Sequence, residues 1–130
     1  MADDMHTPVI IGVGEVVNRS VRVEDALEPR VLMLQARHNA VGDTALSPAG
    51  QRTLIDSIEG IKVVNTWTWT YHDLPGLLGE DLGVRPKHKT VSEHAGNSSG
   101  LLMGQAARRV AKGETKVDVV TGGEALASCR

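Results

Sequence analysis

The sequence predicts an α/β protein, three layers deep (α/β/α), built on a mainly parallel sheet. Three observations lead there. Short β-branched runs alternate with stretches of helical periodicity, Gly and Pro punctuate the junctions, and the first run is apolar on both faces, as a strand covered on both sides requires. The 130 residues suit one domain, 1–130, with no internal repeat, linker or low-complexity tract.

Residues 8–17 (PVIIGVGEVV) form the first expected strand, buried on both sides. Within 23–39, Ala26, Val31, Leu34 and His38 or Ala40 recur at helical spacing. Asp25 and Glu28 precede Arg37 and His38, the charge order a helix dipole favours. Pro29 belongs to the first turn of that helix or marks its start. Residues 42–50 form a loop in which Ser47-Pro48-Ala49 can open a short helical turn, and a second strand lies within 55–65, most securely at 60–64. Residues 66–71 (TWTWTY) alternate Thr with an aromatic. In an extended chain that pattern projects Trp67, Trp69 and Tyr71 from one face. Residues 75–82 read as a short helix stopped by Gly83, 89–94 as a third strand, and 96–100 (GNSSG) as a turn. A helix over 101–112 follows, packing through Ala106, Ala107, Val110 and Ala111 and ended by Gly113, and 117–120 (VDVV) is the fourth strand. The expected order is β-α-β-α-β-α-β, with right-handed crossovers and helices on the faces.

Composition narrows the function classes. Hydrophobic residues at 41% and charged residues at 23% exclude wholesale disorder. The aromatics are Trp67, Trp69 and Tyr71 alone, so the core must come from Val, Leu, Ile, Ala and Met, with 14 glycines bringing backbones together. Fourteen Lys and Arg against 16 Asp and Glu give a formal charge of −2, without the positive field that captures nucleic acid. The acidic start, Met1-Ala2-Asp3-Asp4-Met5-His6, is unlike a secretory signal. No apolar run approaches the ~20 residues of a membrane span, so the expected location is cytoplasmic. The lone Cys129 excludes an intrachain disulfide and a cysteine metal cluster. His6, His38, His72, His88 and His94 show no ligand spacing, and no metal is expected.

Two glycine clusters could carry chemistry. Gly12-Val13-Gly14-Glu15-Val16-Val17 lacks the last glycine of a dinucleotide fingerprint, and Glu15 would repel a pyrophosphate. A glycine-eased strand end is the better reading. Gly96-Asn97-Ser98-Ser99-Gly100 spells G-x-S-x-G between a strand and a helix, as a nucleophile elbow does. A hydrolase triad also needs an acid and then a histidine after the serine, yet all five histidines precede Ser98. A serine hydrolase at Ser98 is disfavoured by that order. The loop still sits at a helix N-terminus, where free N–H groups favour negative charge. Plain capping by Asn97 or Ser98 is the competing explanation. The Trp67, Trp69 and Tyr71 face suits ring stacking on a ligand or, more readily, an interface.

Residues 89–128 (KTVSEHAGNSSGLLMGQAARRVAKGETKVDVVTGGEALAS) resemble the strand, nucleophile loop, helix and strand of the thiolase superfamily. The features are Ser99-Gly100-Leu101, the Ala111-Lys112-Gly113 break, the strand at 117–120, and Gly122-Gly123-Glu124-Ala125-Leu126-Ala127-Ser128. The opening PVIIGVGEV and residues 56–86 likewise look like acetyl-CoA acetyltransferase-like members of that superfamily. The resemblance implies a thiolase-like acyltransferase half with an incomplete sheet. Its candidate substrate is acyl-CoA, with no further cofactor. It puts Asn97, Ser98 and Ser99 at the nucleophile-loop positions, with Asn97 where the family carries its cysteine. Asparagine is no substitute for a thiolate, and the family's later histidine and cysteine motifs have no counterpart here. The implied protein is therefore an acyltransferase relative inactive alone, or a non-catalytic interaction module or subunit using the Trp67, Trp69 and Tyr71 face.

In the family's fold a further strand lies between the last and first strands of this stretch. Without it their edges are uncovered. The chain is accordingly expected to form a homo-oligomer, to need a partner chain supplying the missing half, or to be marginally stable by itself. Equilibrium denaturation of demonstrably monomeric protein checks this, and a cooperative transition of high stability would count against it.

Overall fold

Three strands make one parallel sheet, in the order β2-β1-β3, in the computed structural model, which describes residues 5–126. Ala127, Ser128 and Cys129 lie outside the described residues, as do Met1, Ala2, Asp3 and Asp4. The central strand, β1 (Ile58–Val63), is flanked by β2 (His88–Val91) and β3 (Val117–Thr121). Ile61 is paired with Lys89 on one side and Val119 on the other, and an irregularity between Ile58 and Gly60 adjusts the register to β3.

Alternation along β1 sends its side chains to two layers. Ile61 and Val63 pack with Ile58 against Met33 of α1 (Pro29–Asp43) and Leu74, Leu78 and Leu82 of α3 (Leu74–Leu82). The other face is covered by α4 (Ser98–Ala111), which packs on β1 and β3 and buries Leu102 and Ala106. Lys62 falls on that second face with 0% exposure. Its ammonium meets Asp118 of β3 at 3.1 Å, with both side chains withdrawn from solvent. Neither charge has a hydrogen-bond partner among the described residues. Asp118 in turn occupies the space above Gly60, where an added Cβ would stand 2.1 Å from its Oδ1.

Local chemistry explains the helix ends. Ser47 accepts the Gly50 amide and Pro48 fills the first position of α2 (Pro48–Asp56). Asp73 does the same for α3 through Gly76 at 3.1 Å, and Gly83, at φ 72°, ends that helix in the left-handed conformation. Arg30 and Asp81 join α1 to α3 by two 2.6 Å bonds, and the Tyr71 hydroxyl accepts the Arg30 amide at 3.1 Å.

Residues 8–17 correct an expectation: they are not a buried strand. Val9, Ile10 and Val13 are each more than two thirds exposed. No strand among the described residues lies beside this stretch, so its β-branched pattern has no ladder to join. It docks on α1 instead, backbone first. A Cβ at Gly12 or Gly14 would lie 2.2 Å from the Ala40 or Ala36 carbonyl oxygen. The Val13 amide donates to Asp43 at 2.9 Å, and Asn39 donates to the Glu15 carbonyl at 3.1 Å. The sheet thus has three strands rather than four, and the order after this segment is α-α-β-α-β-α-β. Two helices also differ. Residues 23–25 form only a 3-10 turn, leaving α1 to begin at Pro29, and the turn at Ser47 grows into the nine-residue α2.

Two outcomes are expected from these contacts. Lys62→Met leaves Asp118 buried without its counter-charge and should cost about 3–5 kcal/mol in urea unfolding, most of it regained in Lys62→Met/Asp118→Leu. Equal losses in both variants would locate the cost in packing rather than charge. Asp81 is held below the usual carboxylate range by its hydrogen bonds from Arg30, which outweigh burial. Its contribution is complete above its unfolded value of about 3.9 and is lost as pH falls through the lower native value. Arg30→Met should flatten that acid limb of stability, measured by urea midpoints across the acid range.

Candidate functional site

The C-terminal ends of β1 and β3 and the N-terminal turn of α4 meet at one side of the sheet. Asn97 is the N-cap of α4, at φ −99° and ψ 6°, yet its side chain makes no capping bond. Its carbonyl accepts the Leu101 amide at 3.1 Å, and the side chain is exposed. Ser98 is buried, at 2% exposure, and its hydroxyl donates to the Glu93 carbonyl at 2.8 Å. Capping by either side chain, expected above, is therefore not how this helix begins. The three nucleophile-loop positions separate by role: Asn97 faces solvent, Ser98 ties the helix start to the preceding loop, and Ser99 lines an open groove.

That groove has a volume of about 490 Å³. Val64 and Val120 form its floor at the strand ends, and Met103 stands beside Ser99 on α4. Polar atoms enter from Asn65 and Thr121, while Gly122 and Gly123 keep the β3 side low. A Cβ on Gly122 would press on Val64 at 3.0 Å. Trp67 and Glu124 complete the rim.

Residues 66–71 turn rather than extend, so the three rings do not share a face. Trp67 is 73% exposed and lies on His94, ring centroids 4.1 Å apart and planes tilted 39°. Tyr71 packs against the core. The Thr66 hydroxyl donates to the Trp69 carbonyl and closes the turn. Glu124 holds the turn from outside, accepting the Trp67 and Thr68 amides and the Thr68 hydroxyl. Burial raises the Glu124 pKa, but the bonds from Thr68 and Trp67, with the nearby His94, outweigh it and bring it below the ordinary carboxylate value. In the sequence Glu124 stands out only as part of a family motif; its reach to a loop 56 and 57 positions away is spelled by no local pattern.

Elsewhere the described residues offer less chemistry. No three His, Cys, Asp or Glu side chains among them gather in a metal-holding group. No described helix is long and apolar enough to cross a membrane. A second groove of about 370 Å³ lies between the N-terminal segment and α1, where Val16, Val31 and Leu34 meet His38. Gly12 and Gly14 serve the close approach to α1 and stand at no strand-to-helix turn of the kind a dinucleotide needs.

No protein-family model and no curated protein sequence matches this chain. Among solved structures, a monomeric SCP2-thiolase-like protein type 1 from Mycobacterium smegmatis matches with a TM-score of 0.72 at 23% identity. The match covers 89% of this chain and 23% of that one, so the chain spans less than a quarter of that protein's length. At such identity the likeness establishes architecture. The chain has a thiolase-like α/β/α fold.

Proposed function

We propose that this chain is an acyltransferase relative of the acetyl-CoA acetyltransferase kind that holds an acyl-CoA thioester without, by itself, transferring the acyl group. One observation carries the reading: the first turn of α4 opens on the groove at the strand ends, with Ser99 in its wall. Backbone N–H groups at a helix start attract a carbonyl oxygen or an anion, while Val64, Val120 and Met103 suit an apolar acyl chain.

The residues present favour holding over covalent transfer. Asn97 carries no nucleophilic atom of the required kind, and the Ser98 hydroxyl is engaged with Glu93. Among the described residues no titratable side chain is hydrogen-bonded to the Ser99 hydroxyl, and an unactivated serine is a weak nucleophile. Self-association or a partner chain belongs to the same reading. A second reading, an interaction module, is favoured by the exposure of Trp67 and Trp69, since such rings mark interfaces.

Incubation with acetyl-CoA, followed by intact-mass analysis and by calorimetry, separates these readings. The expected result is saturable binding and no added acetyl mass on any residue. Acetylation of Ser99 or Cys129 would replace holding with covalent transfer. Absence of binding would leave the interaction reading.

A further inference from the structure

Among the described residues lining the groove, Glu124 is the only charged one. Its carboxylate is engaged by the loop that follows β1. There it accepts two successive amides and a hydroxyl, and the Thr68 hydroxyl accepts the Ala125 amide at 3.3 Å. Bonds to an ionised acceptor are stronger than neutral ones. They tie the end of β3 to the turn that carries Trp67, whose ring then rests on His94.

We propose that Glu124 is a positioning residue that fixes Trp67 as the aromatic wall of the groove, and that the groove thereby selects the apolar acyl part of a thioester over its charged part. The second half rests on the acyl-thioester reading above. Its basis is chemical. Val64, Val120 and Met103 give it apolar surface, an indole adds to them, its polar lining other than Glu124 is uncharged, and no lysine or arginine lines it among the described residues. The phosphates of a coenzyme A thioester would find no counter-charge there and would remain outside, leaving the acyl part to be recognised.

In a Trp69→Phe background Trp67 is the sole tryptophan, and its fluorescence reports the wall directly. Because Trp67 is already 73% exposed, Glu124→Ala in the ligand-free protein should raise its acrylamide quenching by at most about a third, Glu124→Gln less, since the amide oxygen still accepts one bond. Thr68→Val removes one of the three bonds and should move quenching the same way by a smaller step, with circular dichroism unchanged. Titrations with octanoyl-CoA, acetyl-CoA and coenzyme A then test selection. Octanoyl-CoA should bind about tenfold more tightly than coenzyme A, and Glu124→Ala should erase most of that preference while leaving coenzyme A little affected. Unchanged quenching in Glu124→Ala overturns the positioning role. Equal affinities for octanoyl-CoA and coenzyme A overturn the selection. If no thioester binds the parent protein while quenching still responds to Glu124, the acyl-thioester reading and the selection fall together and the positioning role stands.

Discussion

A lysine buried in the middle strand is the constraint from which much of this structure follows. β1 is covered on both faces and paired on both edges, so from Gly60 to Val63 it is withdrawn from water. Lys62 sits there nonetheless, and an ammonium in such a place needs an opposite charge close by. Asp118 supplies it from the neighbouring strand. The demand propagates. Asp118 can lean over β1 only because residue 60 has no side chain, and the register that brings the two charges together also aligns Val63 with Thr121. Beyond that pair β3 delivers Gly122, Gly123 and Glu124 to the groove. A slip by one residue would send Asp118 to the face of Ile61 and Val63 and leave Lys62 alone.

How much of this could be read in advance depended on whether the responsible chemistry was local. Asp73 with Pro75 and the glycines at 83 and 113 punctuate helices by contacts within a few residues, and those helix ends fall near where expected, whereas Ser47-Pro48 opens a longer helix than the short turn its letters suggest. The three strands of the sheet lie within a few residues of where the pattern puts them, although β2, HKTV, carries one apolar side chain alone. The failure at residues 8–17 has a different origin. Alternation and β-branching describe what a stretch can do in a sheet, but they do not supply the neighbour it must pair with. The Lys62 and Asp118 pair was legible in principle, as one cation in GIKVV and one anion in VDVV, each alone in an apolar run.

The candidate site shows the same division. GNSSG marked the start of α4, but the letters do not say which hydroxyl is withdrawn and which lines a groove. That follows from the angle at which α4 leaves the loop, a matter of packing. Likewise TWTWTY suggested a flat aromatic face, and the turn imposed by Thr66 and Glu124 sends the rings to separate tasks. The letters marked a loop, and tertiary contact gave each of its residues a different surrounding.

The N-terminal segment leaves one consequence. An extended, β-branched stretch lying outside the sheet has the makings of a cross-β assembly, in which like segments of many molecules stack and interdigitate. What stands against it here is the pair of glycines that let the backbone settle on α1, with Glu15 just beyond. They break what would otherwise be an apolar window of about six or seven residues, the length such zippers use. Gly12 and Gly14 thus guard the chain twice, once by allowing it to lie down and once by spoiling it as a template. Valine at either position would undo both protections together, and the damage would surface as fibrils in concentrated solution as well as in a lower melting point.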